Sequence, residues 1–229
     1  MQRREKCRKG LTICGHPYPR YLEMVEDFHG YVAPGMVLGG FMVDLAYKHL
    51  PEGNHYDALC ETRACLPDAI QVLTPCTVGN GWLRILDIAR FALILYQKRS
   101  GAGVRVFVDT QKMDPFPELK SWFFKLKPKK EINNDQLLDE IREAGSSICS
   151  FVEVKVDLAL IRRERRERFS ICPTCHESYP SHHGSLCRGC RRELPYRSHP
   201  EDVAASKGPP LKTVSTERVV SFPQIIKET

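Results

Sequence analysis

Two short cysteine pairs constrain this chain more than any other feature of its sequence. Two residues separate Cys172 from Cys175, two separate Cys187 from Cys190, and eleven lie between the pairs. Each pair turns tightly enough to direct both sulfurs at one ion, and two facing turns complete a tetrahedron with no open position. The spacing predicts one structural zinc ion. A redox dithiol is the alternative for a single pair, but the second pair favours a metal.

The zinc ion also explains how so small a segment folds. About residues 169–196 form the predicted zinc-ribbon-like module, which has too little apolar surface to fold without a cross-link or metal. We assign residues 166–229 to this module and a C-terminal tail rich in Pro, Ser and Lys. One late strand, Thr213–Phe222, is expected in the tail.

Composition indicates a globular intracellular protein. The chain has 229 residues, of which 42% are apolar, enough for a core in at least one domain. The basic stretch Met1–Lys9 precedes no apolar segment, and the longest apolar run, Phe91–Tyr96, is too short to cross a bilayer. The ten cysteines form no disulfide framework. We therefore expect a cytoplasmic protein without a membrane partner.

Hydrophobic periodicity predicts a helix and strand order for residues 1–165. Predicted helices cover Arg20–Phe28, a stretch after Pro34 that ends at Leu50, a segment from Pro67 to just before Pro75, and Asp135–Ala144. Predicted strands cover Tyr56–Thr62, Trp82–Ile88, Phe91–Gln97, Val104–Asp109 and Phe151–Leu160. This order indicates an α+β domain of two layers, helices on a mixed sheet, followed by the zinc module.

Three sequence words in the first half carry a family resemblance. They are Phe28–Gly35 (FHGYVAPG), Glu61–Gln71 (ETRACLPDAIQ) and Cys76–Gly81 (CTVGNG). The words resemble, in the same order, those of the FmdE-like family, named after the E-type subunit of formylmethanofuran dehydrogenase. Many members of that family end in a module with two cysteine pairs. The resemblance covers about Tyr21–Asp109.

The resemblance implies a mixed α+β domain, often paired as a homodimer, with a metal or substrate pocket near the His and Cys words. Three residues depart from the family pattern: Tyr31 replaces its second His, Ala33 replaces its Cys, and Pro75 replaces the Gly before Cys76. If those residues bind or shuttle something in relatives, this chain has lost part of that apparatus.

His29 and Cys65 each precede a predicted helix, so both are expected at the same end of the sheet. Helix N-termini carry a partial positive charge, which predicts a stabilised thiolate at Cys65 and favours anionic ligands nearby. A second metal site of His29, Cys65 and Cys76 is the hypothesis. Cys76 lies eleven residues after Cys65, roughly 16 Å along a helix. Either the chain folds back, or Cys76 reaches a partner subunit, or it is a core residue.

Ordinary structural roles are open for each of these side chains. His29 can be a core or capping residue, and Cys65 and Cys76 can be small buried apolar groups. Asp68 is either a carboxylate that interacts with a helix dipole or a general base. Glu61 is a weaker candidate for an acid.

Three functional classes remain open. The first is a metal-binding accessory protein with a His/Cys pocket, a separate structural zinc and a protein partner in a larger complex. The second is a regulator whose zinc module binds nucleic acid or protein, since nine arginines and four glutamates lie between Arg162 and Arg197. The charged run Arg162–Arg168 can equally be a solvated connector. The third is a zinc-dependent enzyme with an open coordination position.

Overall fold

The structure is a computed structural model that describes residues 10–51, 55–161 and 168–196. Contacts between Cα atoms divide the chain into two units, Met1–Arg162 and Arg163–Thr229. The expected strand Thr213–Phe222 and most of the charged run Arg162–Arg168 lie outside the described residues.

The first unit contains five α-helices and seven strands among its described residues. The helices are α1 (Tyr18–His29), α2 (Pro34–His49), α3 (Leu66–Leu73), α4 (Pro117–Phe123) and α5 (Asn134–Ala144). The strands are β1 (Thr12–Ile13), β2 (His16–Pro17), β3 (Tyr56–Cys60), β4 (Leu83–Ile85), β5 (Ala92–Gln97), β6 (Ala102–Val108) and β7 (Cys149–Lys155).

Five of these strands form one mixed sheet in the order β4-β3-β5-β6-β7. The β3–β4 pair is parallel and the other three pairs are antiparallel. Strands β1 and β2 form a separate short hairpin. The expectation of helices on a mixed sheet is confirmed.

Helix α2 lies at the centre of the helical layer and is buried from Gly35 to Val43. A helix that is apolar around its whole circumference belongs in a core. Gly39 is needed for its contact with α3, because a Cβ there would lie 2.7 Å from the Cβ of Ala69. The starts of α2 and α3 are thereby held against each other, and this contact positions the first-domain site.

The sheet also buries apolar side chains on the face away from α2. Leu59, Ile94 and Tyr96 form a small cluster there, and the partly buried Val154, Val156, Leu158 and Ile161 pack on it. The chain after β7 therefore returns across this face.

Two elements differ from the sequence expectations. Helix α4 was not predicted, and β4 is three residues long although Trp82–Ile88 was expected to be strand. The strand is short because the backbone carbonyl of Glu61 accepts hydrogen bonds from the N–H groups of Ile88 and Arg90. Those bonds draw the chain into a loop. No helix of the described residues is long and apolar enough to cross a membrane.

The described part of the second unit contains a two-stranded antiparallel ribbon, β8 (Phe169–Ile171) and β9 (Ser178–Pro180). A short 3-10 helix, Ser181–His183, follows β9. The two cysteine pairs lie just after β8 and in the chain that follows the 3-10 helix.

Candidate metal centre and ligand cavity

The four cysteines of the second unit come together as the spacing predicts. Cys172 Sγ lies 3.7 Å from Cys190 Sγ, and Cys175 Sγ lies 3.6 Å from Cys187 Sγ. All four sulfurs lie within 4.8 Å of one another. In the described part of the chain, this is the only group of three or more His, Cys, Asp or Glu side chains that can hold a metal ion.

Backbone turns present each pair of sulfurs. The N–H of His176 donates to the carbonyl of Cys172, and the N–H of Arg191 donates to the carbonyl of Cys187. His176 and Arg192 both have positive φ, 61° and 62°, so the chain reverses after each pair. The two pairs are therefore similar tight turns.

The donor set and its geometry fit zinc. With Zn–S bonds of about 2.3 Å, the edges of a tetrahedron are about 3.8 Å, close to the two measured separations. Burial, followed by hydrogen bonds to the other cysteines, raises the pKa of Cys190 to about 12. Backbone N–H groups of Cys175 and Cys187 lower the pKa of Cys172 to about 6. Four crowded sulfurs resist full ionisation, and a coordinated cation removes that conflict.

In the first unit, His29 contacts Asp68. His29 Nδ1 lies 2.7 Å from Asp68 Oδ2, and the two side chains are 20% and 30% exposed. A carboxylate accepts hydrogen bonds, so Nδ1 is the protonated nitrogen and the lone pair lies on Nε2. Histidines that bind metals usually have such a carboxylate partner. From the sequence, Asp68 was expected to be a separate helix-start acid, and its pairing with His29 was not predicted.

Cys65 occupies the strained turn between β3 and α3. Its φ is 49° and its ψ is −38°, and the N–H of Leu66 donates to the carbonyl of Ala64, which makes a γ-turn centred on Cys65. A side chain at positive φ is unfavourable, and such strain often occurs at functional sites. Gly35 permits the close approach of α2, because a Cβ there would lie 3.2 Å from Cys65 Sγ.

The predicted thiolate at Cys65 is wrong. Burial and then the charge of Asp68 raise the pKa of this thiol, and the charge of Lys129 only partly opposes them. The start of α3 also offers few free donors, because the N–H of Leu66 is bonded to Ala64 and Pro67 has none. The N–H of Asp68 donates back to the carbonyl of Cys65.

The structure does not bring Cys76 to His29 and Cys65 within one protomer. Cys76 is fully buried, and its thiol donates to the carbonyl of Tyr56, the first residue of β3. Cys65 follows the last residue of the same strand. Strand rise places the two ends about 13 Å apart. The core role that the sequence left open for Cys76 describes its surroundings.

A cavity of about 1030 Å³ opens beside Cys65. Its walls come from the chain before and at the start of α2, the loop after β3, the segment before β5, α4 with the residues that follow it, and α5. The lining residues are Tyr31, Val32, Ala33, Pro34, Gly35, Thr62, Ala64, Cys65, Ala89, Phe91, Trp122, Phe123, Lys125, Leu126, Lys127, Pro128, Lys129, Ile132, Asn134 and Leu138.

The part of this cavity that α4 and its following segment supply was not predicted from the sequence. The signal was present, as the run from Ser121 to Lys130 combines three aromatic residues with four lysines. Basic and aromatic residues in one short segment indicate a surface that binds anions. Tyr31 and Ala33, the two departures in the first family word, also line the cavity.

Glu61 has a structural role in this fold. Its carboxylate receives two hydrogen bonds from Arg105, from Nε and Nη2, each 2.7 Å long. The Glu61 side chain is only 7% exposed. The ion pair joins β6 to the loop after β3 and leaves this carboxylate without a free oxygen for chemistry.

The zinc module presents less free positive charge than its arginine count indicates. Both Arg188 and Arg191 form ion pairs with Glu193, at 3.0 and 2.9 Å. Arg191 also donates to the carbonyl of His183. Nucleic-acid binding by this module stays a prediction.

The sequence comparisons identify the family. A family model described as "FmdE, Molybdenum formylmethanofuran dehydrogenase operon" matches residues 28–156. A second model, "FmdE treble clef zinc finger", matches residues 163–197. The chain belongs to the FmdE family. The match spans more than half of the chain and includes the His29, Cys65 and cavity residues.

A solved relative shares both the fold and much of the sequence. The crystal structure of an FmdE-like protein of tungsten formylmethanofuran dehydrogenase from Syntrophus aciditrophicus is 50% identical, with a TM-score of 0.75. The alignment covers 81% of this chain and 97% of that chain.

A curated relative matches over a shorter stretch. The "Probable S-adenosyl-L-methionine-binding protein" of Archaeoglobus fulgidus is 34% identical over 100 residues, 40% of this chain. The match spans only 27% of that longer protein.

Proposed function

We propose that this FmdE-family protein is a metal-binding accessory protein with two separate metal sites. The four-cysteine module holds a structural zinc ion. The first domain holds a second metal ion between His29 and Cys65, at the wall of the cavity.

The His29–Asp68 contact supports the second site most strongly. It fixes the imidazole with its proton on Nδ1, which leaves Nε2 as a metal ligand, and the ring remains partly exposed. The exposed part of the ring allows an ion to reach it from solvent.

Cys65 supplies the second ligand in this proposal. Its strained backbone and its place on the cavity wall are what a residue placed for binding shows. A metal ion held by one imidazole and one sulfur keeps coordination positions open, so a ligand in the cavity completes its coordination.

Metal content per chain tests the two-site proposal. After incubation with zinc and removal of excess, the wild-type protein should hold one ion in the module and a second in the first domain. His29→Ala and Cys65→Ser should each lose only the second ion. His55→Ala is the matched histidine control, because His55 is exposed and lies outside the cavity lining.

Cys76→Ser separates the proposed site from the three-residue site of the sequence hypothesis. It should keep both ions, although loss of a buried thiol lowers its melting temperature. A wild-type protein that retains a single ion per chain overturns the second site. Retention of the second ion by both His29→Ala and Cys65→Ser does the same.

A further inference from the structure

The cavity beside Cys65 has an asymmetric charge. Three lysines, Lys125, Lys127 and Lys129, line it, and no Asp or Glu does. Its volume of about 1030 Å³ is at the upper end of small-molecule sites, and such sites are usually mostly apolar with a few placed polar groups. Lysines without acidic neighbours indicate an anionic ligand.

Two of the lysines have charges that the protein leaves available. Lys127 Nζ lies 3.0 Å from Glu118 Oε2 and is neutralised by it. Lys125 and Lys129 form no ion pair with the residues that the structure describes, and both are exposed at the cavity mouth. The charge of Lys129 is felt by the Cys65 thiol, so it acts inside the cavity.

The segment that carries these lysines is held in place from both sides. Glu118 is buried, and its second oxygen, Oε1, accepts from the N–H of Asn133 at 2.8 Å. One carboxylate thus fixes Lys127 and the start of α5. The N-terminus of the 16-residue helix α2 also opens on the cavity through Pro34 and Gly35, and its dipole favours negative charge there.

Aromatic rings form the apolar part of the same cavity. Phe91, Trp122 and Phe123 line it, with Phe91 and Phe123 in edge contact at 6.1 Å between ring centroids. Flat rings of this kind stack well on a flat apolar body.

We propose that the cavity binds an organic anion, with its carboxylate, sulfonate or phosphate group at Lys125 and Lys129 and a flat apolar body against Trp122 and Phe91. This binding does not depend on a metal ion at His29, because the lysines and rings lie on other elements.

A fluorescent pair of probes tests the charge requirement. 8-Anilinonaphthalene-1-sulfonate carries the anion and the flat body, and N-phenyl-1-naphthylamine has the same rings without the charge. The sulfonate should bind saturably at one site and much more tightly than the neutral amine. Replacing Lys125 and Lys129 together with Gln should weaken the sulfonate at least about fivefold and leave the amine unchanged. Lys130→Gln, outside the lining, is the matched control and should have no effect.

Energy transfer from tryptophan locates the probe. The chain has two tryptophans, and only Trp122 lines the cavity. Transfer to the bound sulfonate should be lost in Trp122→Phe and kept in Trp82→Phe. Competition by 1-naphthoate or by 1-naphthyl phosphate, against the neutral 1-naphthalenemethanol, shows which anionic group the lysines prefer.

Three results would overturn the anion proposal: equal affinity for the two probes, unchanged affinity in the double lysine variant, or transfer that survives in Trp122→Phe. The His29→Ala variant separates this proposal from the metal site. It should bind the sulfonate as the wild type does even though it has lost the second metal ion.

Discussion

His29 Nδ1 lies 2.7 Å from Asp68 Oδ2, across the interface between the end of α1 and the first turn of α3. The contact gives Asp68 a defined partner and gives His29 a defined tautomer. It also links the first and second family words, which are far apart in the sequence, at one edge of the cavity.

Asp68→Asn should weaken metal binding at His29 and change stability little. An Asn side chain can still hydrogen-bond Nδ1, but it lacks the carboxylate charge that raises the basicity of the ring, and such partners typically contribute about 10–100-fold in metal affinity. Zinc titration of the first site measures the effect. Asp139→Asn, an exposed helical acid paired with Arg142, is the control. Equal affinity in both variants would contradict the proposed role of Asp68.

The strain at Cys65 predicts an unusual order of stabilities. Cys65→Gly should be more stable than Cys65→Ala by about 1 kcal/mol, because glycine adopts positive φ without steric conflict. Both variants remove the sulfur, so their difference reports the backbone alone. Urea unfolding of the first domain measures it. If the alanine variant is as stable as the glycine variant, Cys65 is not strained.

Replacing a zinc ligand should unfold the module alone. Cys172→Ser and Cys190→Ser should lose the module's zinc and its resistance to protease while the first domain still melts cooperatively, since the metal supplies most of the module's folding free energy. Ser185→Ala, an exposed change in the same module, should keep the metal. A ligand variant with full zinc content and an unchanged digestion pattern would exclude this role.

Glu118 should make stability depend on pH in the acid range. The N–H of Asn133 and then Lys127 hold the pKa of this carboxyl below its ordinary value of 4.5. The unfolded chain therefore takes up the proton first, so the stabilisation is present above pH 4.5 and is lost as pH falls through the folded pKa. Glu118→Gln lacks this contribution, so the difference in free energy of unfolding from wild type should shrink below pH 4.5. A constant difference would show that the carboxylate is not stabilised.

Much of the fold follows from local patterns. The strands β5 and β6 and the helices α2, α3 and α5 lie within a few residues of their predicted positions, because each carries a clear apolar period and ends at a breaker such as Pro51, Pro75 or Gly145. The four-cysteine cluster follows from spacing alone. Helix α4 escaped because it is seven residues long and mostly aromatic at its end, too short for a period to be recognised.

The candidate site was only partly predictable. Two helix starts at one end of a sheet gave the neighbourhood of His29 and Cys65, but a tendency of helix starts to stabilise anions did not give the state of the Cys65 thiol. The N–H groups that would stabilise a thiolate are bonded to the backbone or absent at Pro67. The cavity joins segments as distant as Tyr31 and Leu138, and only the packing of α4 shows that they meet.

Anomalous diffraction tests the two-site account most directly. Crystals of the full chain grown with zinc would be measured just above and just below the zinc absorption edge. The account predicts two peaks per chain, one enclosed by Cys172, Cys175, Cys187 and Cys190, and one next to Nε2 of His29 on the side of Cys65. A single peak within the four-cysteine cluster, with no metal at His29, would contradict the first-domain site, and no peak among the four cysteines would contradict the structural zinc.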